Sequence, residues 1–389
     1  MTAIEAPMIK QPLTTRNPAA RDFSMIIALV AIWIYFAIRA PAFLSARNLS
    51  LLVIDLSVTA ILALGMLLVI LPGHIDLSAG SGVGLFGAAA AVLVFWQRWP
   101  AAGAMGVVLV GAVIIWALMG TLIVSQRIPA FIITLSGMQI FRGLHWLIIQ
   151  GQTVPVVAGG GRNLYSALTT YYLRPIAGWA LATIAIVALW VAKLRARRRR
   201  MAYGLHVDDG ETTFLKLLIA AQIIVLFVLV TNQFAGVPLP AVILGAAALI
   251  IYVLTQHTPF GRYLYAIGGN EEAAVLSGVP VNAVVIGAFA IMGGIVALTG
   301  FMQTAYAGAT TSTVGTLMEL DAVAACVIGG TSLRGGRGSV PGVLFGSLIM
   351  ASLLNGMTLM AVTPEMKFIA RGVVLALAVW VDVKLSGSK

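Results

Sequence analysis

Apolar segments separated by short polar stretches run along almost the whole chain. Residues 217–261 and 273–318 contain no Asp, Glu, Lys or Arg. A helix needs about 20 apolar residues to cross the hydrocarbon core of a bilayer. The pattern therefore predicts twelve transmembrane helices, of which the third and tenth are short enough to be broken or re-entrant. Their expected positions are 23–39, 51–72, 82–97, 101–125, 128–150, 174–192, 214–232, 237–255, 283–303, 317–330, 340–361 and 368–385.

Composition supports an all-α, polytopic membrane protein. Of the 389 residues, 60% are hydrophobic and 10% are charged, whereas soluble domains carry about 25% charged residues. This excludes a cytosolic enzyme, a disordered chain and a secreted disulfide scaffold. Cys326 is the single cysteine, so disulfides within the chain and sites built from clustered cysteines are excluded as well.

The net charge of +11 is explained by the positive-inside rule, and no nucleic-acid-binding motif occurs. With both termini in the cytoplasm, the inside segments carry 16 Lys and Arg residues and the outside segments carry 7. Residues 1–22 are expected to be a cytoplasmic tail, and 23–389 a single transmembrane domain. The largest inside segments, 193–213 and 256–282, are expected to be loops.

Motifs for catalysis and for cofactor binding are missing from the sequence. The nearest match to a phosphate-binding loop, Gly330–Gly335, is followed by Gly336 where the lysine should stand. Neither HExxH nor GxSxG occurs, and the four histidines are scattered. We therefore expect no enzymatic activity, no metal site and no cofactor in this chain.

Polar residues inside apolar segments are candidates for a substrate pathway. Asp76 and Ser78 lie between two predicted helices, where a charge facing lipid would cost about 3 kcal/mol; capping of the following helix is an alternative role. Arg142 could serve a pathway or have a structural partner. Glu319 and Asp321 lie at the start of a short predicted helix that leads into a glycine-rich stretch, and capping of that helix would explain one of the two carboxylates. The candidates are Asp76, Ser78, Gln139, Arg142, Glu319, Asp321 and Asn355.

The inside segment 256–282 contains signals for a short surface helix. Asn270 is a good N-cap, two glutamates fill the first turn, and Gly278 with Pro280 ends the helix. Such a helix is unstable alone in water and needs a surface to dock on. That surface is either the protein's own bundle or a cytoplasmic partner. The candidate contact residues are Asn270, Glu271, Glu272, Ala273, Ala274, Leu276 and Gly278.

Several of these segments resemble the sugar permeases of ATP-binding-cassette importers, the family of the ribose, galactose, arabinose and xylose systems. The resemblance covers most of 45–385, and segment 172–234 with its basic turn fits the xylose branch as an extra helical pair added to a ten-helix core. The matching stretches are Ile75–Ser81, Thr134–Met138, Phe141–Gly143, Phe260–Tyr263, Ala266–Ala274 and Ala325–Leu333.

The resemblance implies a transport subunit with several partners. A periplasmic binding protein would deliver the sugar, and two permease copies in the lipid bilayer would form the path. A cytoplasmic ATPase would bind ATP and magnesium and dock on the 270–277 helix as the coupling helix.

Two alternatives stay open at this stage. One is an importer of the same class for ribose, galactose or an autoinducer-like sugar. The other is a proton-coupled sugar carrier, in which carboxylates at Asp55, Asp76, Glu319 and Asp321 would act as relays.

Overall fold

The computed structural model describes residues 18–157, 161–205, 207 and 209–386. The described chain is almost entirely helical. Its first eight helices are α1 (Pro18–Arg39), α2 (Ala46–Ile70), α3 (Ala79–Phe95), α4 (Ala101–Gln126), α5 (Ala130–Ile149), α6 (Leu164–Thr170), α7 (Pro175–Ala202) and α8 (Gly210–Asn232). The others are α9 (Leu239–His257), α10 (Pro259–Gly269), α11 (Glu271–Leu276), α12 (Val281–Ala307), α13 (Met318–Ile328), α14 (Val340–Leu359) and α15 (Pro364–Ser386).

Each of the twelve predicted apolar segments corresponds to one of these helices, which confirms the all-α fold class. Eight of the described helices are long and apolar enough to cross a membrane, and α1 and α3 contain shorter apolar stretches. With 11 residues, α13 is only about 17 Å long, roughly half of a hydrocarbon core. The count of twelve crossings and the location of the termini stay predictions, and residues 1–17 of the tail lie outside the described part.

Two expectations about loops were wrong. Residues 259–269 form α10, because Pro259 stands at its first turn and the Thr258 side chain accepts a hydrogen bond from the Gly261 amide. Residues 193–202 continue α7, because Lys, Arg and Ala favour a helix and no glycine or proline interrupts the run. The short α6 was not predicted at all.

The centre of the bundle is α2, whose residues from Ala60 to Ile70 are all buried. It is surrounded by α9, α12, α13 and α14, and α12 also packs along α3 and α4. Close packing depends on glycine: a Cβ atom on Gly300 of α12 would lie 2.5 Å from the Val83 carbonyl oxygen of α3. The core helices therefore approach to backbone contact, as small residues allow in membranes.

Two antiparallel bridges of two residues each connect distant parts of the chain. β1 (Val154–Pro155) pairs with β4 (Ala309–Thr310), and β2 (Tyr172–Leu173) pairs with β3 (Val237–Pro238). The second bridge lies at the base of the α7–α8 hairpin. This hairpin is little covered by the rest of the bundle, since α7 buries only Gly178 and Ala182.

Candidate functional site

The first turns of α3 and α13 lie against each other inside the bundle. A Cβ atom on Gly80 of α3 would overlap the Glu319 carboxylate of α13 and lie 2.6 Å from the Gly315 carbonyl oxygen. Both helices therefore begin in the protein interior, with their positive dipole ends close together. Broken helices whose ends meet in this way form the substrate sites of many membrane transporters.

Asp76 precedes α3 and has no solvent-exposed surface. One of its carboxylate oxygens accepts hydrogen bonds from the Ser78 amide at 2.8 Å and the Ser78 hydroxyl at 2.5 Å. The other accepts from the indole nitrogen of Trp116 at 2.6 Å. Asp76 thus organises the start of α3, while Ser78 makes no capping bond with its side chain.

Glu319 and Arg142 line a common polar cleft between α5 and the segment that precedes α13. The cleft is also lined by His145, Ser81 and Ser312. Glu319 is 6% exposed and interacts electrostatically with Arg142. A ring nitrogen of His145, Nε2, lies 3.3 Å from the Thr310 hydroxyl. Side chains of this kind form hydrogen bonds with the hydroxyl groups of a polar solute.

This cleft is closed to a solute of sugar size. Its free volume is about 10 Å³, which accommodates about one water molecule. The neighbouring surface of α5, in contrast, is open and carries the exposed residues Gln139 and Arg142. A cationic side chain exposed on a membrane helix is expected to face a protein partner or an aqueous path rather than lipid.

The other candidates lie apart from this cleft. Asp321 is paired with Arg371 of α15, with 3.1 Å between the Oδ1 and Nε atoms. The Arg371 N–H does not point at that oxygen, so the contact is an ion pair without an aligned hydrogen bond. The pair connects α13 to α15.

Asn355 belongs to a polar group between α2 and α14. It exchanges two amide hydrogen bonds with Asn48, at 2.9 and 3.2 Å. Asp55 of α2 lies close to Asn355 and to Tyr306 of α12. This group therefore connects three helices of the bundle.

The short surface helix predicted after Asn270 is present as α11. The Asn270 side chain accepts a hydrogen bond from the Ala273 amide at 2.9 Å, and Gly278 has a left-handed φ of 79°. Only Ala274 is buried against the bundle. Val275 and Leu276 are 55% and 89% exposed, so the helix packs on its own protein through Ala274 and leaves two larger apolar side chains uncovered.

Glycine contacts connect α10, which precedes α11, to two turns of the bundle. The Gly336 amide donates a hydrogen bond to the Leu71 carbonyl at 2.9 Å, and a Cβ atom on Gly268 would overlap both groups. The Tyr265 hydroxyl donates to the Gly338 carbonyl at 2.9 Å. Burial raises the pKa of Tyr265, so the hydroxyl keeps its proton for this bond.

Sequence reasoning missed several members of these sites, notably Trp116, Arg371 and Tyr265. For Trp116 a signal exists, since a buried indole N–H needs an acceptor and Asp76 is a buried acceptor without an obvious donor. The pairing of Arg371 with Asp321 joins residues 50 positions apart, and nothing in the sequence specifies it.

Comparison with known proteins finds relatives that align with nearly the whole chain. The family model for the branched-chain amino acid transport system permease component matches residues 48–379. The chain is 40% identical over 361 residues to the xylose transport system permease protein XylH of Escherichia coli K12, covering 92% of this chain and 91% of that protein. The XylH protein of Haemophilus influenzae is 38% identical, with coverage of 92% and 95%.

The ribose import permease protein RbsC of Escherichia coli K12 is 33% identical over 359 residues, covering 92% of each chain. No solved structure matches the chain.

Proposed function

The chain belongs to the family of branched-chain amino acid transport system permease components, and on that basis we propose that it is the permease subunit of an ATP-driven importer for a monosaccharide, with D-xylose as the substrate. It is a multi-pass inner-membrane transport subunit and not an enzyme. The observation that carries the choice of sugar is the 40% identity to a xylose permease over 92% of the chain, against 33% for a ribose permease.

We place the transport path at the open face of α5 beside the cleft of Glu319, Arg142 and His145. A second copy of the chain would cover this face, since the cleft within one copy holds only about one water. Asp76 and Ser78 would hold the start of α3 beside the path. Gln139 would line it from α5, and Asp321 and Asn355 would fix the positions of the surrounding helices.

The partner ATPase is proposed to dock on α11. Leu276 offers an uncovered apolar side chain, and Glu271 and Glu272 are exposed beside it. Movement of α11 would reach the bundle through the contacts of α10 with the turns at Leu71 and Gly336. ATP and magnesium would be bound by that partner, and a periplasmic binding protein would deliver the sugar.

The test is reconstitution of the chain with its ATPase in proteoliposomes, with xylose-loaded or empty binding protein supplied outside. We expect ATP hydrolysis and xylose uptake to rise with the loaded protein. Glu271→Lys with Glu272→Lys should abolish ATPase binding, while Asp209→Lys with Glu211→Lys, the same charge change beside α8, should leave it intact. Xylose uptake that follows a proton gradient without an ATPase would overturn the proposal.

A further inference from the structure

The basic end of α7 extends beyond the apolar part of its helix. At 1.5 Å per residue its 28 residues span about 42 Å, compared with about 30 Å for a hydrocarbon core. The segment from Pro175 to Ala192 contains no charged residue, and six of the next eight residues are Lys or Arg. The excess length therefore places this basic end at the level of the lipid headgroups.

The basic residues divide between two faces of the helix. At 100° per residue, Lys193, Arg197 and Arg200 share the face of Gly178 and Ala182, which packs on the rest of the protein. A Cβ atom on Gly210 of α8 would lie 3.6 Å from a terminal nitrogen of Arg197. Of these three residues, Arg197 therefore lies against α8, while Lys193 and Arg200 remain exposed.

The opposite face carries Arg195 and Arg198, with Arg199 at its edge, and all three side chains are exposed. Among the described residues, none pairs its guanidinium with a carboxylate or another acceptor. Three like charges within two turns repel one another. This outer face therefore offers three guanidinium groups to a negatively charged partner.

The surface next to these arginines is apolar. Ile184 and Val191 lie on the same outer face and are 63% and 39% exposed. An apolar strip that ends in a group of arginines matches an amphiphile, with acyl chains along the strip and phosphate at the arginines. Because the strip lies in the hydrocarbon core, the arginines at its end stand at the depth of the phosphate groups of the same lipids.

From this arrangement we propose that Arg195, Arg198 and Arg199 bind the phosphate groups of anionic phospholipids. The α7–α8 hairpin is thereby a lipid-binding element of the permease, independent of the sugar path and of the ATPase contact. Arginine suits this role because its planar guanidinium binds phosphate through two parallel hydrogen bonds.

The experiment measures binding of phosphatidylglycerol, compared with phosphatidylcholine, to delipidated full-length permease in detergent by native mass spectrometry. Each basic residue near an anionic surface strengthens attraction about fivefold. The variant Arg195→Gln, Arg198→Gln, Arg199→Gln should therefore bind phosphatidylglycerol about a hundredfold more weakly. Lysine at the same three positions should restore most of the binding.

The matched control removes three exposed arginines elsewhere, through Arg39→Gln, Arg162→Gln and Arg174→Gln; Arg174 is at the opposite end of α7. It should bind phosphatidylglycerol as the unmodified chain does. Equal weakening in the control, unchanged binding in the outer-face variant, or equal binding of phosphatidylcholine would overturn the proposal. So would loss of the ATPase from the outer-face variant in lipid-free detergent, because the arginines would then serve that protein.

Discussion

The indole nitrogen of Trp116 donates a 2.6 Å hydrogen bond to the carboxylate of Asp76, across 40 positions of sequence. Both side chains are fully buried. The contact joins α4 to the residue that organises the start of α3, and it therefore determines where that helix begins.

Replacement of Trp116 by Phe should destabilise the protein, because it removes a donor from a buried carboxylate. The expected loss is about 1–3 kcal/mol, to which the smaller ring adds a cavity. Thermal unfolding of the detergent-purified protein measures it. Trp179→Phe is the control, since Trp179 is 38% exposed, and an equal loss there would contradict the explanation.

Replacement of Gly268 by Ala should separate α10 from the turns at Leu71 and Gly336, because the added Cβ atom overlaps backbone atoms of both. We expect lower thermal stability and, in the reconstituted importer, ATP hydrolysis that no longer responds to the loaded binding protein. Gly269→Ala is the matched control, since a Cβ atom there meets nothing within 4 Å. Similar behaviour of the two variants would show that movement of α11 does not reach the bundle through these contacts of α10.

Leu276→Ser should leave the fold intact, because the side chain is 89% exposed, and should weaken the ATPase contact. Loss of a buried Leu at an interface costs about 2 kcal/mol, or roughly thirtyfold in affinity. Surface plasmon resonance between permease and ATPase measures the change. Val275→Ser tests the neighbouring exposed position, and unchanged affinity for Leu276→Ser would remove this side chain from the contact.

Arg371→Gln should destabilise the protein by about 3 kcal/mol, because it leaves the buried Asp321 without its countercharge. This loss of stability is at the low end of the range for breaking a buried ion pair, because the Arg371 side chain is 23% exposed to solvent. The double variant with Asp321→Asn should recover much of the loss. A double-mutant cycle of unfolding free energies checks this, and additive losses would show that the two groups do not interact.

Hydropathy was sufficient to locate the long helices, because a bilayer imposes a minimum apolar length on each of them. The predicted segment 51–72 agrees with the observed bounds of α2 to within five residues at both ends. It missed α10, whose apolar residues cover one face only, and it ended α7 at 192 because charge was taken as the end of the helix. Charged residues end the apolar span, but they do not end a helix whose propensities continue.

The candidate site was predictable only in part. Residues near glycine-interrupted segments were selected as candidates, and in the structure Glu319 and Arg142 line one cleft. Their partners could not be identified, because hydrogen bonds such as those of Asp76 with Trp116 and of Asn355 with Asn48 depend on which helices become neighbours. His145 was not selected, since one histidine among apolar residues is typical of a packed core side chain.

The β2–β3 bridge places Leu173 directly opposite Val237, so the chain leaves the bundle for α7 and returns after α8 at almost the same point. A direct junction between these two positions would need only a short turn. The hairpin could thus be removed without changing the order or the direction of the helices on either side of it.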